Sequence, residues 1–541
     1  MTPLEIGILG CLILFVLLAA SLPVAFSMAV VGFAGFATIV NTRAAASMIT
    51  VDLYETFASY SLTVIPLFVL MGQIAFHAGI SRRLYDAAYH WLGHLPGGLA
   101  ISTIGACTAF GAICGSGPAT AATMASVALP EMKRYNYSST LSCGSVAAGG
   151  GLGMLIPPSV VFIVYAILTE QSIGTLFIAG IVPGLLIATL FCLTIYVQCI
   201  RDPKLGPAGP VMSWRSKLMS LSGLSETLIL FAVVMGGMFK GYFSPTEAAA
   251  IGAAGSLIIA GVRGKLSRKM LTRSLMETIR TSCMVMIIVT GAVIFGRFLA
   301  ITRIPFELAT WLAGLPLPGW VVMGMIILFY LAAGTFIDAL ALVLLTIPIF
   351  YPVVMQLGYD PIWFGVIIVV VTQMGVITPP VGVNVYVVSG VERDVPLQTI
   401  FRGAMPFLLA LVAATILLMV FRTAAAQLLC LFLFAAGAVF SGIAGTGRGL
   451  VAKSLLFAAG AALWFVLQSL PPRMLTTIVS ELLLHYTDST VTLMLYVASV
   501  AAVMLTAYLM RATFFKPIRP DGGRVQGAGT KAASQSFQTG S

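Results

Sequence analysis

At Gly149–Tyr165 the chain reads GGGLGMLIPPSVVFIVY, a helix that cannot be continuous. Apolar sequence flanks it on both sides, which puts it at membrane depth. Pro157 and Pro158 donate no N–H, and the residue before a proline is pushed out of the helical region. Backbone freed inside a bilayer has to be buried in protein or line a wet cavity. A second copy of the break occurs at Gly375–Tyr386, GVITPPVGVNVY. Paired interruptions at matching places in two halves are the strongest sequence pointer to the binding site of a transporter.

The rest of the chain fits that setting. Of 541 residues, 59% are hydrophobic and 9% charged, against about 25% charged in a soluble domain. The fold class expected is an all-α polytopic membrane protein. The net charge of +11 sits between apolar runs, where it orients a membrane protein and does not call for nucleic acid. The eight cysteines are scattered and form no CxxC, so they read as small buried hydrophobes and no metal cluster is expected. The first apolar run lacks a basic leader and reads as a retained span.

In order, spans are expected at residues 4–40, divided in two at Ser21-Leu22-Pro23, and at 57–76. SRRLYDAAYHWLGHLPGG then suits a helix lying at the interface. Residues 98–130 are split by Gly115-Ser116-Gly117-Pro118 into arms too short to cross, which makes a re-entrant hairpin with its tip at Ser116. The broken helix follows at 139–170, and a last span at 173–200. The second half repeats the first. Pro23 and Pro245, Pro96 and Pro318, and Pro157 and Pro379 are each 222 residues apart. On that offset Ser116 falls on Asp338. This gives repeat 1 at 1–205, a basic cytoplasmic linker at 206–221, and repeat 2 at 222–425 with a hairpin at 320–357 and a broken helix at 361–391. A three-span extension is expected at 426–510 and a disordered cytoplasmic tail at 511–541.

Each repeat crosses five times, so the second must be inverted relative to the first. One face collects Arg82, Arg83, Lys133, Arg134, Arg201, Arg263, Lys269 and their neighbours, and the other chiefly Arg43, Lys240, Arg303 and Arg422. The basic face is cytoplasmic, which leaves the N-terminus outside.

Helix ends that meet at a hairpin tip offer carbonyls to a bare cation and N–H groups to a carboxylate. Small-residue helix packing is the plainer reading of Gly115–Pro118. Asp338 is the clearest intramembrane carboxylate, either a cation ligand or an acceptor for backbone N–H groups. Thr378 and Asn384 flank the second double proline and can add oxygens or cap helix ends. Glu247 reads as the N3 member of a capping box, Ser244-Pro-Thr-Glu. Arg297 reads as a snorkelling end residue or, less simply, as a contact for an anionic substrate. There is no Walker A loop, catalytic triad or HExxH, so no enzyme activity is expected.

GSGPATAATMASVALPEM followed by GGGLGMLIPPS resembles the large membrane subunit of TRAP transporters, the DctM-like family. So does GTFIDALALVLLTIPIFYPV followed by LGYDP and TPPVGVN. The resemblance covers about residues 1–425. It implies an elevator-type, Na⁺-coupled importer of an organic acid anion, such as a C4-dicarboxylate, keto acid or sialic acid, in the bacterial inner membrane. It implies a small membrane subunit and a periplasmic substrate-binding protein as partners, and no cofactor beyond the coupling ion. Sodium would be held by Gly115, Ser116, Gly153, Ile156 and Pro157 at one tip, and by Gly334, Asp338, Gly375, Thr378 and Pro379 at the other. Substrate would meet Ser116, Gly117, Thr120, Pro158, Pro380 and Asn384. The alternatives are a self-sufficient carboxylate symporter and a non-transporting scaffold. The extension after 425 matches nothing in that pattern.

Overall fold

In a computed structural model, residues 2–20, 22–314 and 318–420 are described. The expected extension at 426–510 and tail at 511–541 lie outside them. The described residues are helical, with no strand among them. Eight helical segments are long and apolar enough to cross a membrane.

The first half runs α1 (Pro3–Ala19), α2 (Val24–Ile39), α3 (Thr42–Ala58), a 3₁₀ turn at Tyr60–Thr63 leading into α4 (Val64–His77), and α5 (Ile80–Leu92). The hairpin is α6 (Gly98–Cys114) and α7 (Gly117–Arg134), the broken helix α8 (Ser139–Leu155) and α9 (Val160–Thr169), and α10 (Ile173–Arg201) closes the half. The second half has α11 (Trp214–Phe239), α12 (Pro245–Val262), α13 (Arg268–Thr302) and α14 (Ile304–Gly314). Its hairpin is α15 (Gly319–Gly334) and α16 (Ala339–Gln356), its broken helix α17 (Pro361–Gly375) and α18 (Val383–Val391), and α19 (Leu397–Val420) ends it.

The two halves exchange elements. Hairpin arm α7 packs on α18 of the other half, and α16 packs on α9. The centre is formed by α8, buried from Leu141 to Leu155, and α17, buried from Trp363 to Gly375. The glycine run of α8 is a packing device, since each glycine faces a different neighbour. A Cβ at Gly149 would stand 2.9 Å from Cys107 Sγ on α6, and one at Gly150 2.6 Å from Ala121 Cβ on α7. Facing outward, Ile8, Leu12, Phe15 and Val16 of α1 are exposed, an apolar surface that suits lipid and not water.

Three sequence expectations change. Helix α3 was not expected. It forms because Asn41 caps it, accepting from Ala44 N at 2.7 Å, and because Ala45, Met48, Asp52 and Thr56 make one buried stripe. The linker is shorter than 206–221: Ser213 Oγ accepts from Ser216 N at 3.2 Å and starts α11 at Trp214. The remaining strand of linker is tied under the first hairpin by Gly97 N to Gly206 O (3.0 Å) and Ser138 N to Leu205 O (3.0 Å). The interfacial helix forms as α5, but Ile80, Leu84 and Tyr85 are buried, and Arg83 pairs with Glu226 of α11 at 2.6 Å.

Candidate functional site

The tip of the first hairpin is built by Gly115 in the left-handed region, φ +66°, and Ser116 in extended conformation. Gly115 has to be glycine on two counts. Its φ disfavours a side chain, and a Cβ there would collide with Pro158 O. The tip is closed onto the break by Val160 N, which donates to Gly115 O at 3.3 Å. Behind it, Thr120 Oγ1 donates to Ser116 O at 2.8 Å. A Cβ at Gly153 would stand 2.5 Å from Thr120 Oγ1 and 2.9 Å from Ser116 O, so α8 reaches the tip only because residue 153 has no side chain.

The double proline decides which carbonyls at the end of α8 remain free. Gly153 O and Met154 O would normally accept from residues 157 and 158, and neither proline has an N–H. The hydroxyl of Ser159 replaces one bond by donating to Met154 O, and accepts from Phe162 N at 3.3 Å to cap α9. Ile156 N is spent on Leu152 O at 2.9 Å. Gly153 O therefore has no amide of its own helix to accept from, and it lies at the residue that touches Ser116. At the tip the Ser116 hydroxyl caps nothing, while its carbonyl accepts from Thr120 N at 3.0 Å as well as from Thr120 Oγ1. Carbonyls and a hydroxyl, with no water-exposed competitor, suit a hard monovalent cation.

The second tip uses the same parts differently. Gly334 lies against Gly375, where a Cβ would stand 2.5 Å from Gly334 C. Gly382 N donates to Thr335 O at 3.4 Å, as Val160 does in the first half. Here, however, the carbonyls released by Pro379 and Pro380 are taken: Thr378 N donates to Gly375 O (3.1 Å) and Asn384 N to Val376 O (3.0 Å). Asp338 supplies what the backbone does not. It is the N-cap of α16, its Oδ2 accepting from Leu340 N at 3.1 Å, and it is half-buried. Both peptide bonds Pro157-Pro158 and Pro379-Pro380 are cis.

The structure thus brings Gly115, Ser116, Gly117, Thr120, Gly153, Ile156, Pro157 and Pro158 together at one tip, and Gly334, Asp338, Gly375, Thr378, Pro379 and Pro380 at the other. Three of the candidate residues have protein hydrogen-bond partners of their own. Thr120 is fully buried with its hydroxyl turned back on Ser116 O. Thr378 Oγ1 donates to Met374 O at 2.6 Å, closing its own helix end. Asn384 is fully buried, and its Nδ2 donates to Ala147 O of α8 at 3.0 Å. Glu247 is the capping-box residue expected. Arg297 is not free to snorkel: its Nε forms an ion pair with Asp52 Oδ1 at 2.6 Å, with Glu55 at 3.7 Å. Sequence reasoning also missed Ser159, whose place directly after a double proline is the signal that would have found it.

The two sites differ in cover. Pro157 and Pro158 are buried, and Ile113 and Pro158 line one small space together with Met71 of α4 and Phe231 and Met235 of α11. A Cβ at Gly72 of α4 would stand 3.0 Å from Cys114 Cα. Pro379 and Pro380 are exposed, and so is Phe336, at 66%.

The chain is similar to known proteins. A family model described as "Tripartite ATP-independent periplasmic transporter, DctM component" matches residues 11–424. A C4-dicarboxylate TRAP transporter large permease protein of Pseudomonas aeruginosa is 40% identical over 370 residues, 68% of this chain and 86% of the relative. An isethionate TRAP transporter permease protein of Oleidesulfovibrio alaskensis is 37% identical over 409 residues, 74% of this chain and 62% of that protein. A sialic acid TRAP transporter large permease protein of Vibrio cholerae is 33% identical over 406 residues, 75% of this chain and 94% of the relative.

Proposed function

This chain belongs to the DctM family, the large permease component of tripartite ATP-independent periplasmic transporters, and from that premise we propose that it imports an organic acid anion together with Na⁺. It is a multi-pass membrane transporter subunit and not an enzyme. The observation that carries the coupling proposal is the close approach of Gly153 to the hairpin tip, where a Cβ would stand 2.9 Å from Ser116 O, at a helix end whose Gly153 carbonyl loses its amide partner to Pro157.

At the first tip Na⁺ is held by Ser116 and Gly153 with the backbone of Gly115, Ile156 and Pro157. At the second, Asp338 supplies the charge, with Gly334, Gly375 and Pro379 beside it. The anion lies between the tips, near Gly117 and the prolines Pro158 and Pro380, where helix N-termini favour negative charge. Two bound cations beside an anionic substrate lower the cost of holding it in a low dielectric.

The halves are inverted repeats, as the constant offset, the odd crossing number and the exchange of α7 and α16 support. The hairpins and broken helices move together as one body past α4, α11, α12 and α13. In the state described, the first tip is covered by α4 and α11 and the second is open. The N-terminus is periplasmic, the basic loops are cytoplasmic, and the membrane is the bacterial inner membrane. A small membrane subunit and a periplasmic binding protein complete the system. The relatives act on chemically different substrates, C4-dicarboxylate, isethionate and sialic acid, so the binding protein sets the choice of anion.

The test is uptake into proteoliposomes that hold this chain and its partners. Uptake driven by an inward Na⁺ gradient, and absent when choline or K⁺ replaces Na⁺, is expected. Equal uptake with K⁺ defeats the proposal.

A further inference from the structure

The two broken helices touch at residues that the repeat makes equivalent. Gly151 of α8 and Gln373 of α17 are 222 residues apart, the same offset as the proline pairs. A Cβ at Gly151 would stand 3.5 Å from Gln373 Cγ and 3.6 Å from its Oε1. A contact between equivalent positions lies on the axis that relates the halves, so this inference rests on the two-repeat reading above. At that axis one half supplies no side chain and the other a long polar one. A methyl group at 151 would meet the glutamine at ordinary contact distance, so only a longer side chain there competes with it for space.

Gln373 is 1% exposed, and neither Nε2 nor Oε1 has a protein partner. Asn384 lies beside the same helix. Its Nδ2 bonds Ala147 O, one turn before Gly151, and its Oδ1 is buried without a protein partner. Two carbonyl oxygens and one amide donor are thus gathered against a single turn of α8. Buried polar atoms in native proteins are satisfied by protein or by ordered water.

We propose that Gln373 and Asn384 enclose a buried binding site for a single water molecule on the axis between the two broken helices. Water brings two hydrogens for the two oxygens and a lone pair for one of the two Gln373 N–H groups. Turning the Gln373 amide over leaves the same set of one donor and two acceptors. A Na⁺ ion does not fit, because an amide N–H₂ points into the same space. The water joins α17 and α18, on either side of the second break, to α8 of the other half. Gln373 is then a positioning residue that holds the breaks in register, distinct from the ion ligands at the tips.

Two experiments test this on the assembled transporter. Density maps that resolve waters, recorded in Na⁺ buffer and in choline buffer, should show a peak between the Gln373 amide and Asn384 Oδ1 in both. A peak seen only with Na⁺, or ordered amides with no peak, overturns the proposal. Separately, Gly151→Gln and Gln373→Gly should each lower the melting temperature and cut uptake at least tenfold, and the double swap should restore most of both. A double variant no better than the worse single variant overturns the axial pairing. Loss of Na⁺ dependence in the unaltered protein would defeat the functional reading and leave both of these results standing.

Discussion

Val160 N donates to Gly115 O at 3.3 Å, and so fastens the tip of the first hairpin to the far side of the first break. Its counterpart 222 residues on, Gly382, donates to Thr335 O at 3.4 Å. Tip and break are one unit in each half. A change that pushes them apart acts on the proposed ion site even when it touches none of the proposed ligands.

Gly153→Ala is the sharpest such change. The added methyl group meets Thr120 Oγ1 at 2.5 Å, Ser116 O at 2.9 Å and Thr120 Cβ at 3.2 Å, and the last two of these are fixed by the backbone. Overpacking of this kind costs about 1–3 kcal/mol. Uptake is expected to be abolished while most of the protein still folds. Gly151→Ala, whose methyl has ordinary contact distances, should be close to neutral in the same assays.

Ser159→Ala removes the hydroxyl that replaces the amide lost to Pro158. It strips the N-cap of α9 and leaves Met154 O buried without its donor. Loss of a cap costs about 1–2 kcal/mol, and the stranded carbonyl adds to it. Thermal unfolding should show a clear fall in melting temperature. Ser159→Thr should recover much of it.

Asp338→Asn separates the two jobs of this side chain. Asparagine still caps α16 by accepting from Leu340 N, but carries no charge. Normal melting temperature with loss of Na⁺-dependent uptake is expected. Normal uptake in Asp338→Asn would make the residue a cap and nothing more. Asp338→Ala should lose both stability and uptake.

Arg297→Ala leaves Asp52, which has no exposed side-chain surface, as an uncompensated buried charge. For a fully buried pair the cost is about 3–5 kcal/mol, and about 2 kcal/mol is expected here because Arg297 is half exposed. Asp52→Asn in the Arg297→Ala background should restore stability. Continued instability of that double variant would point instead to the lost packing of the arginine stem.

Much of this was legible in the sequence for one reason: Gly and Pro interrupt helices wherever they stand, so breaks and tips announce themselves locally. The hairpin tips at Ser116 and Asp338 and both broken helices fall within a few residues of where Gly115, Pro157, Pro379 and their neighbours place them. The chemistry that depends on a distant partner was not legible. Arg297 looked free because Asp52 lies in α3, a helix whose short buried stripe includes a charge. Asn384 looked like a ligand because its partner, Ala147 O, is a backbone atom of the other half. Gln373 drew no attention as one polar residue in an apolar run, although the offset of 222 already set it opposite Gly151. Helix α11 starts inside the expected linker because a single serine, Ser213, suffices to cap it.

Binding of Na⁺ at the tips can be measured without knowing the substrate. A ligand that binds only the folded state stabilises it by about 2.7 kcal/mol at one hundred times its dissociation constant. Titrating the purified protein with Na⁺ at constant ionic strength should raise the melting temperature, and K⁺ should not. The rise should shrink in Ser116→Ala and in Asp338→Asn. An equal rise with K⁺, or one untouched by either substitution, would contradict the two-tip site.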